Sequence, residues 1–174
     1  MISTMPVFVA FLRAVNVGGT GKLAMSDLRG LCEAAGFQSV RTYIQSGNVV
    51  FASALSQAKV KRRLEQALCT KLGKPCAVLL RSGAELAAVL RRNPFEKAAP
   101  RQVLVLFLDQ TPARGALADL PIPGGEEVWL DGRELFVHFP NGMGRSKLKI
   151  PFAKTGTWRN LNTIAKLVAM VRKT

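Results

Sequence analysis

Val40-Arg41-Thr42-Tyr43-Ile44-Gln45-Ser46-Gly47-Asn48-Val49-Val50-Phe51-Ala52 decides the architecture of the first half of the chain. Two runs rich in β-branched and aromatic residues flank the short polar turn Ser46-Gly47-Asn48, which is the pattern of a β-hairpin. Upstream, Ser26 stands as an N-cap before Leu28, Leu31, Cys32 and Ala35 at helical spacing, and Gly36 stops that helix. Further upstream, Met5 to Ala14 is almost continuously apolar and reads as a buried strand. Downstream, Ser56 caps a helix whose stripe is Val60, Leu64, Leu68 and Leu72, Gly73 ends it, and Ala77 to Leu80 reads as a strand. The order is β-α-β-β-α-β, the ferredoxin-like arrangement.

The rest of the chain repeats much of this order. Ser82 begins a linking helix that Asn93-Pro94 terminates. Val103 to Leu108 reads as a strand and Pro112 to Leu120 as a short helix. Val128 to Leu130 and Leu135 to Phe139 form a hairpin around Asp131-Gly132. Asn160 to Arg172 reads as a helix with Leu161, Ile164, Leu167, Val168 and Val171 apolar. No clear final strand is legible. The expected fold is therefore α+β, a tandem duplication of two ferredoxin-like halves with antiparallel sheets. The halves span residues 1–81 and 101–174, joined by a linking helix and loop over 82–100.

Composition narrows the class. Hydrophobic residues make up 48% of 174, enough to bury a sizeable core. No apolar run approaches the roughly 18 residues of a membrane span. Val7 to Leu12 is short, has no basic residue before it, and reads as a strand rather than a signal peptide. Cys32, Cys69 and Cys76 have no paired spacing, which argues for free thiols in a reducing, cytoplasmic setting. Cys32 falls on the apolar side of its helix and is expected to be buried. Twenty-five basic and 11 acidic residues give a net charge of +14. From Asn141 to Thr174 there are eight basic residues and no acid, whereas Gln102 to Pro140 holds two basic and six acidic residues. That asymmetry points either to an anionic partner or to a solvated basic surface.

Four polar segments are the candidate functional loops. The first contains Arg13, Asn16, Gly18, Gly19 and Lys22 between a strand and a helix. A phosphate loop needs Gly where Asn16 stands and Ser or Thr where Leu23 stands, so that pattern fails at both ends. Gly19, Gly21 and Ala24 fit a dinucleotide fingerprint in part, but a hairpin follows instead of a crossover helix, and no acid is placed for a ribose. Consecutive glycines beside Arg13 and Lys22 still suit either an anion held by backbone N–H groups or a connection that needs glycine for its angles alone. The second segment concentrates Tyr43, Gln45, Ser46 and Asn48 at the hairpin turn. The third is Asn141-Gly142-Met143-Gly144-Arg145-Ser146-Lys147, where two glycines flank cations suited to a phosphate or carboxylate. The fourth is Thr157-Trp158-Arg159-Asn160, at the start of the last helix, where an arginine opposes the helix dipole.

Together these segments resemble the bacterial family catalogued as domain of unknown function 1697. The resemblance rests on Arg13 to Gly19, on Thr42 to Phe51, on Gly144-Arg145-Ser146-Lys147-Leu148, and on Thr157-x-Arg159-Asn160-x-x-Thr163. Family members carry Trp after the Arg-Asn pair, where this chain has Leu161 and places Trp158 before the pair. The resemblance implies a duplicated α+β fold and supplies no activity, cofactor or catalytic residue.

Several chemistries find little support. His138 is the sole histidine and the cysteines are unpaired, so no zinc spacing exists. No carboxylate lies within the four segments for paired-acid hydrolysis or magnesium. No cofactor is assigned. His138 reads as a structural or surface residue of its strand. The leading expectation is an anionic small molecule, phosphorylated or carboxylated, bound between the loops of the two halves. The alternatives are electrostatic nucleic-acid binding and a protein-interaction module with a basic tail. Phe51 stands alone on its strand, so base stacking on a sheet has no aromatic signature.

Overall fold

The structure is a computed structural model that describes residues 4–13, 22–44 and 47–174. Among these residues it forms two four-stranded antiparallel sheets and four α-helices. The chain divides into two compact units, Met1–Ala87 with Leu167–Thr174, and Ala88–Lys166.

The first unit runs β1 (Val7–Leu12), α1 (Met25–Ala34), β2 (Gln38–Tyr43), β3 (Asn48–Ala52), α2 (Gln57–Leu72) and β4 (Val78–Ser82), with strand order β2-β3-β1-β4. Alternation on the strands brings Phe8, Ala10, Val49, Phe51 and Leu80 into one core with Leu28 and Cys32 of α1 and Val60, Leu64 and Leu68 of α2. The intervening Val9, Phe11, Val50 and Leu79 are equally buried, so the sheet is covered on both faces. Burial also pushes the Cys32 thiol up to about 12. At the start of α2 the Ser56 hydroxyl accepts from the Lys59 amide at 3.3 Å. At its end Gly73 takes φ +72°, a left-handed position that favours glycine. α1 differs from expectation. Leu28 N–H donates to the Ala24 carbonyl at 3.0 Å, so the helix begins at Met25 and Ser26 lies inside it, not at its cap.

α3 (Gly83–Arg91) follows β4 directly. Ser82 and Glu85 make a reciprocal cap: the Glu85 amide donates to Ser82 Oγ at 3.1 Å and the Ser82 amide to Glu85 Oε2 at 3.3 Å. The helix ends two residues before Asn93-Pro94.

The second unit holds β5 (Val103–Phe107), β6 (Glu127–Asp131), β7 (Glu134–His138) and β8 (Thr157–Asn160), in the order β6-β7-β5-β8, followed by α4 (Leu161–Arg172). β8 is a strand that sequence reading does not find; it pairs with β5 and completes the sheet. Residues 112–120 form turns rather than the expected helix, because Gly115 and Asp119 take positive φ (+80° and +58°) and interrupt any helical ladder. One face of this sheet is covered by connecting segments: Leu117, Leu120, Leu148, Ile150 and Phe152 pack on Leu106, Leu135 and Val137.

The two sheets carry buried polar side chains at corresponding register positions. Arg81 on β4 pairs with Val9 of β1, and Arg159 on β8 pairs with Val105 of β5. Asn48 opposite Phe11 corresponds to Glu134 opposite Phe107. All four polar side chains are buried. The residue after each buried arginine caps the next helix: Ser82 caps α3, and Asn160 Oδ1 accepts from the Thr163 amide at 2.9 Å at the start of α4. Arg41 on β2 donates to the Met170 carbonyl and to the Thr174 hydroxyl, which holds the end of α4 within the first unit.

Candidate functional site

In the first unit, two of the candidate segments meet at one end of the sheet. The Leu12 amide donates to the Gly47 carbonyl at 2.9 Å and the Arg13 amide to the Ala77 carbonyl at 3.0 Å, so Arg13 and the β2–β3 turn share that end. Arg13 and Tyr43 are half-buried and Lys22 is exposed. Asn48 is fully buried, and its Nδ2 donates to the Tyr43 carbonyl at 2.9 Å, which closes the hairpin. Asn16, Gly18, Gly19, Gln45 and Ser46 lie outside the described residues.

In the second unit, the chain leaving β7 builds a hollow of about 250 Å³. The Phe139 amide donates to the Gln102 carbonyl at 2.8 Å, and the Gly142 amide closes a turn on the Phe139 carbonyl at 3.0 Å. Gly142 sits at φ +82°, where a side chain would be strained. A short 3-10 turn, Met143–Arg145, then delivers Ser146 in extended conformation. The Ser146 hydroxyl donates to Glu126 Oε1 at 2.6 Å and accepts from the Leu148 amide at 3.1 Å. The Gly124 amide donates to Glu126 Oε2 at 2.8 Å. A Cβ at Gly124 would lie 2.9 Å from Glu126 Oε1, so glycine allows this close approach.

Glu126 is therefore the buried anchor of the loop. The Ser146 hydroxyl, and after it the backbone N–H groups of Glu126 and Gly124, hold its carboxyl below the usual carboxylate range. Arg145 and Lys147 are exposed at the rim of the hollow, with Asn141 beside them. Neither cation forms an ion pair with a described residue. Sequence reading finds Arg145, Ser146 and Lys147 but not Glu126. The carboxylate lies 20 residues before Ser146 and its only local sign is the small Gly124-Gly125 pair ahead of it.

Arg159 and Asn160 do different work. Arg159 is 7% exposed and belongs to β8, not to the start of α4. Its Nη1 donates to Thr157 Oγ1 at 2.7 Å and to the Trp158 carbonyl at 2.8 Å. Burial pulls its pKa down to about 10. Asn160 caps α4. Among the described residues no group of three His, Cys, Asp or Glu is placed to hold a metal ion. No described helix is long and apolar enough to cross a membrane.

A family model described as "Protein of unknown function (DUF1697)" matches residues 5–136. Among solved structures, a conserved bacterial protein from Streptococcus pneumoniae is similar, with a TM-score of 0.80 and 25% identity, covering 96% of this chain and 99% of that one. No curated protein matches the sequence.

Proposed function

The chain belongs to the family of proteins of unknown function DUF1697, and we propose that it binds an anionic small molecule, phosphorylated or carboxylated, at the hollow rimmed by Arg145 and Lys147. The observation that carries this reading is the pair of exposed cations beside a carboxylate that is already satisfied. Glu126 is hydrogen-bonded to Ser146 and Gly124, so it fixes the loop and leaves the two cations for a ligand. Arginine offers a planar fork to phosphate or carboxylate oxygens, and lysine a mobile point charge. Arg13 and Tyr43 at the end of the first sheet, and the exposed Lys22, stand as further candidate contacts.

We also read the two sheets as duplicated ferredoxin-like halves. The shared strand order and the matched pairs Asn48 with Glu134 and Arg81 with Arg159 support that reading.

The test is a calorimetric titration with pyrophosphate, a sugar phosphate and citrate. At least one is expected to bind saturably, and heats no larger than those of sodium chloride at matched ionic strength would end the proposal. Electrostatic nucleic-acid binding is the second reading, favoured by the run Asn141–Thr174 with eight basic residues and no acid. Phe8, Phe11 and Phe51 are all buried, so none of these rings of the first sheet is offered to a base. Its mark is an affinity that falls roughly a thousandfold from low to moderate salt for about six phosphate contacts. Binding of a small anion at physiological salt, without retention of oligonucleotides, separates the two.

A further inference from the structure

A second hollow in the same unit has the opposite chemical character. Segment 93–98, with Glu127 and His138, encloses about 570 Å³. The Asn93 side chain shapes the segment: its Oδ1 accepts from the Phe95 amide at 3.0 Å, and a turn from Ala98 N–H to the Phe95 carbonyl follows at 3.0 Å. This brings the Phe95 ring to 6.0 Å from the His138 imidazole.

The imidazole faces an acceptor at each nitrogen. Glu127 Oε1 is 3.3 Å from Nδ1, and Gln102 Oε1 is 3.5 Å from Nε2. The amide of Gln102 is oriented by its own Nε2, which donates to the Pro140 carbonyl at 3.1 Å, so it is the oxygen that meets the ring. An imidazole with one proton satisfies only one of these neighbours. With the proton on Nδ1 toward Glu127, Nε2 stands as one more acceptor on this wall. The wall adds the carboxylates of Glu96 and Glu127 against a single ammonium, Lys97. Phe95 supplies an aromatic surface. Acceptors outnumber donors, and aromatic faces suit an organic cation.

We propose that this cavity is a binding site for a small organic amine, taken up as its ammonium. The ammonium donates to the Glu127 and Glu96 carboxylates, while its alkyl part lies along Phe95. The anion hollow at Arg145 and Lys147 is a separate site, so either proposal stands or falls without the other.

The chain has one histidine, so its imidazole gives a single reporter in a long-range nitrogen–proton NMR spectrum. The protein is titrated with 1,4-diaminobutane at constant ionic strength, as wild type and as the Glu96→Gln/Glu127→Gln double variant. Both glutamates are exposed, and glutamine keeps an acceptor oxygen for the ring. A saturable movement of the His138 signals, with affinity at least tenfold weaker in a folded double variant, is expected. No saturable movement, an equal movement with sodium chloride, or unchanged affinity in the double variant overturns the site.

Discussion

The two sheets repeat one strand order and differ in what covers them. In the first, α1 and α2 lay Leu28, Leu64 and Leu68 over Phe8, Val49 and Phe51. In the second, the connections before β6 and after β7 do the covering, with Leu117, Leu148 and Phe152 over Leu106 and Val137. A helix satisfies most of its own N–H and C=O groups, so it covers a sheet with apolar side chains alone. An irregular connection has to find partners for its backbone, and polar side chains come in with it. Ser146 serves the Leu148 amide, and Glu126 serves Gly124 and Ser146. The hollow rimmed by Arg145 and Lys147 is a product of that difference. Adjacent glutamates sharpen the point. Glu126 fixes the cation-rimmed loop, and Glu127 meets His138 in the acceptor-lined cavity.

The second sheet has its closest backbone approach at Gly156, just before β8. A Cβ at Gly156 would sit 2.4 Å from the Phe107 carbonyl oxygen and 2.8 Å from Leu106 Cδ1. Gly156→Ala is expected to cost about 3 kcal/mol in urea unfolding, since backbone cannot yield as a side chain does. Gly83→Ala, in the first unit, meets Val171 Cγ1 at 2.5 Å, a rotatable methyl near the C-terminus, and is expected to cost about 1 kcal/mol. Equal losses would mean that the loop covering is as yielding as a helix end. The matched caps come next. Ser82→Ala and Asn160→Ala are each expected to lose about 1 kcal/mol, and a loss confined to one of them would break the equivalence of the two positions.

The smallest effect concerns pH. Glu126 has its folded pKa lowered by its hydrogen bonds, so its contribution to stability is present above the ordinary carboxylate value and is lost as pH falls through the lowered one. Glu126→Gln is expected to flatten part of the fall in melting temperature below pH 4.5. Identical acid profiles for the two proteins would contradict a special role for this carboxylate.

Periodicity made the first unit legible. Ser56, the stripe Val60-Leu64-Leu68 and Gly73 mark α2 from cap to stop, and two apolar runs around Gly47 mark the hairpin. The second unit was harder because its covering has no period. Pro112 to Leu120 has helical-looking leucines, yet the chain reverses at Gly115 and Asp119. β8 is four residues long and buries an arginine, so no alternation betrays it; its pairing with β5 defines it. Candidate site residues split the same way. Arg145 and Lys147 follow from a glycine-flanked basic run, whereas Glu126 becomes visible only when the chain brings it to Ser146. Asn48 reads as a ligand contact in a turn, but its buried side chain is engaged in the hairpin it begins.

The most direct measurement is calorimetry of the strongest-binding anion against wild-type protein and the Arg145→Ala/Lys147→Ala double variant at physiological salt. Loss of charge-assisted bonds from both cations is expected to weaken binding at least a hundredfold, roughly 3 kcal/mol, with the fold intact. Undiminished affinity in the double variant would contradict the assignment of the anion site to this hollow.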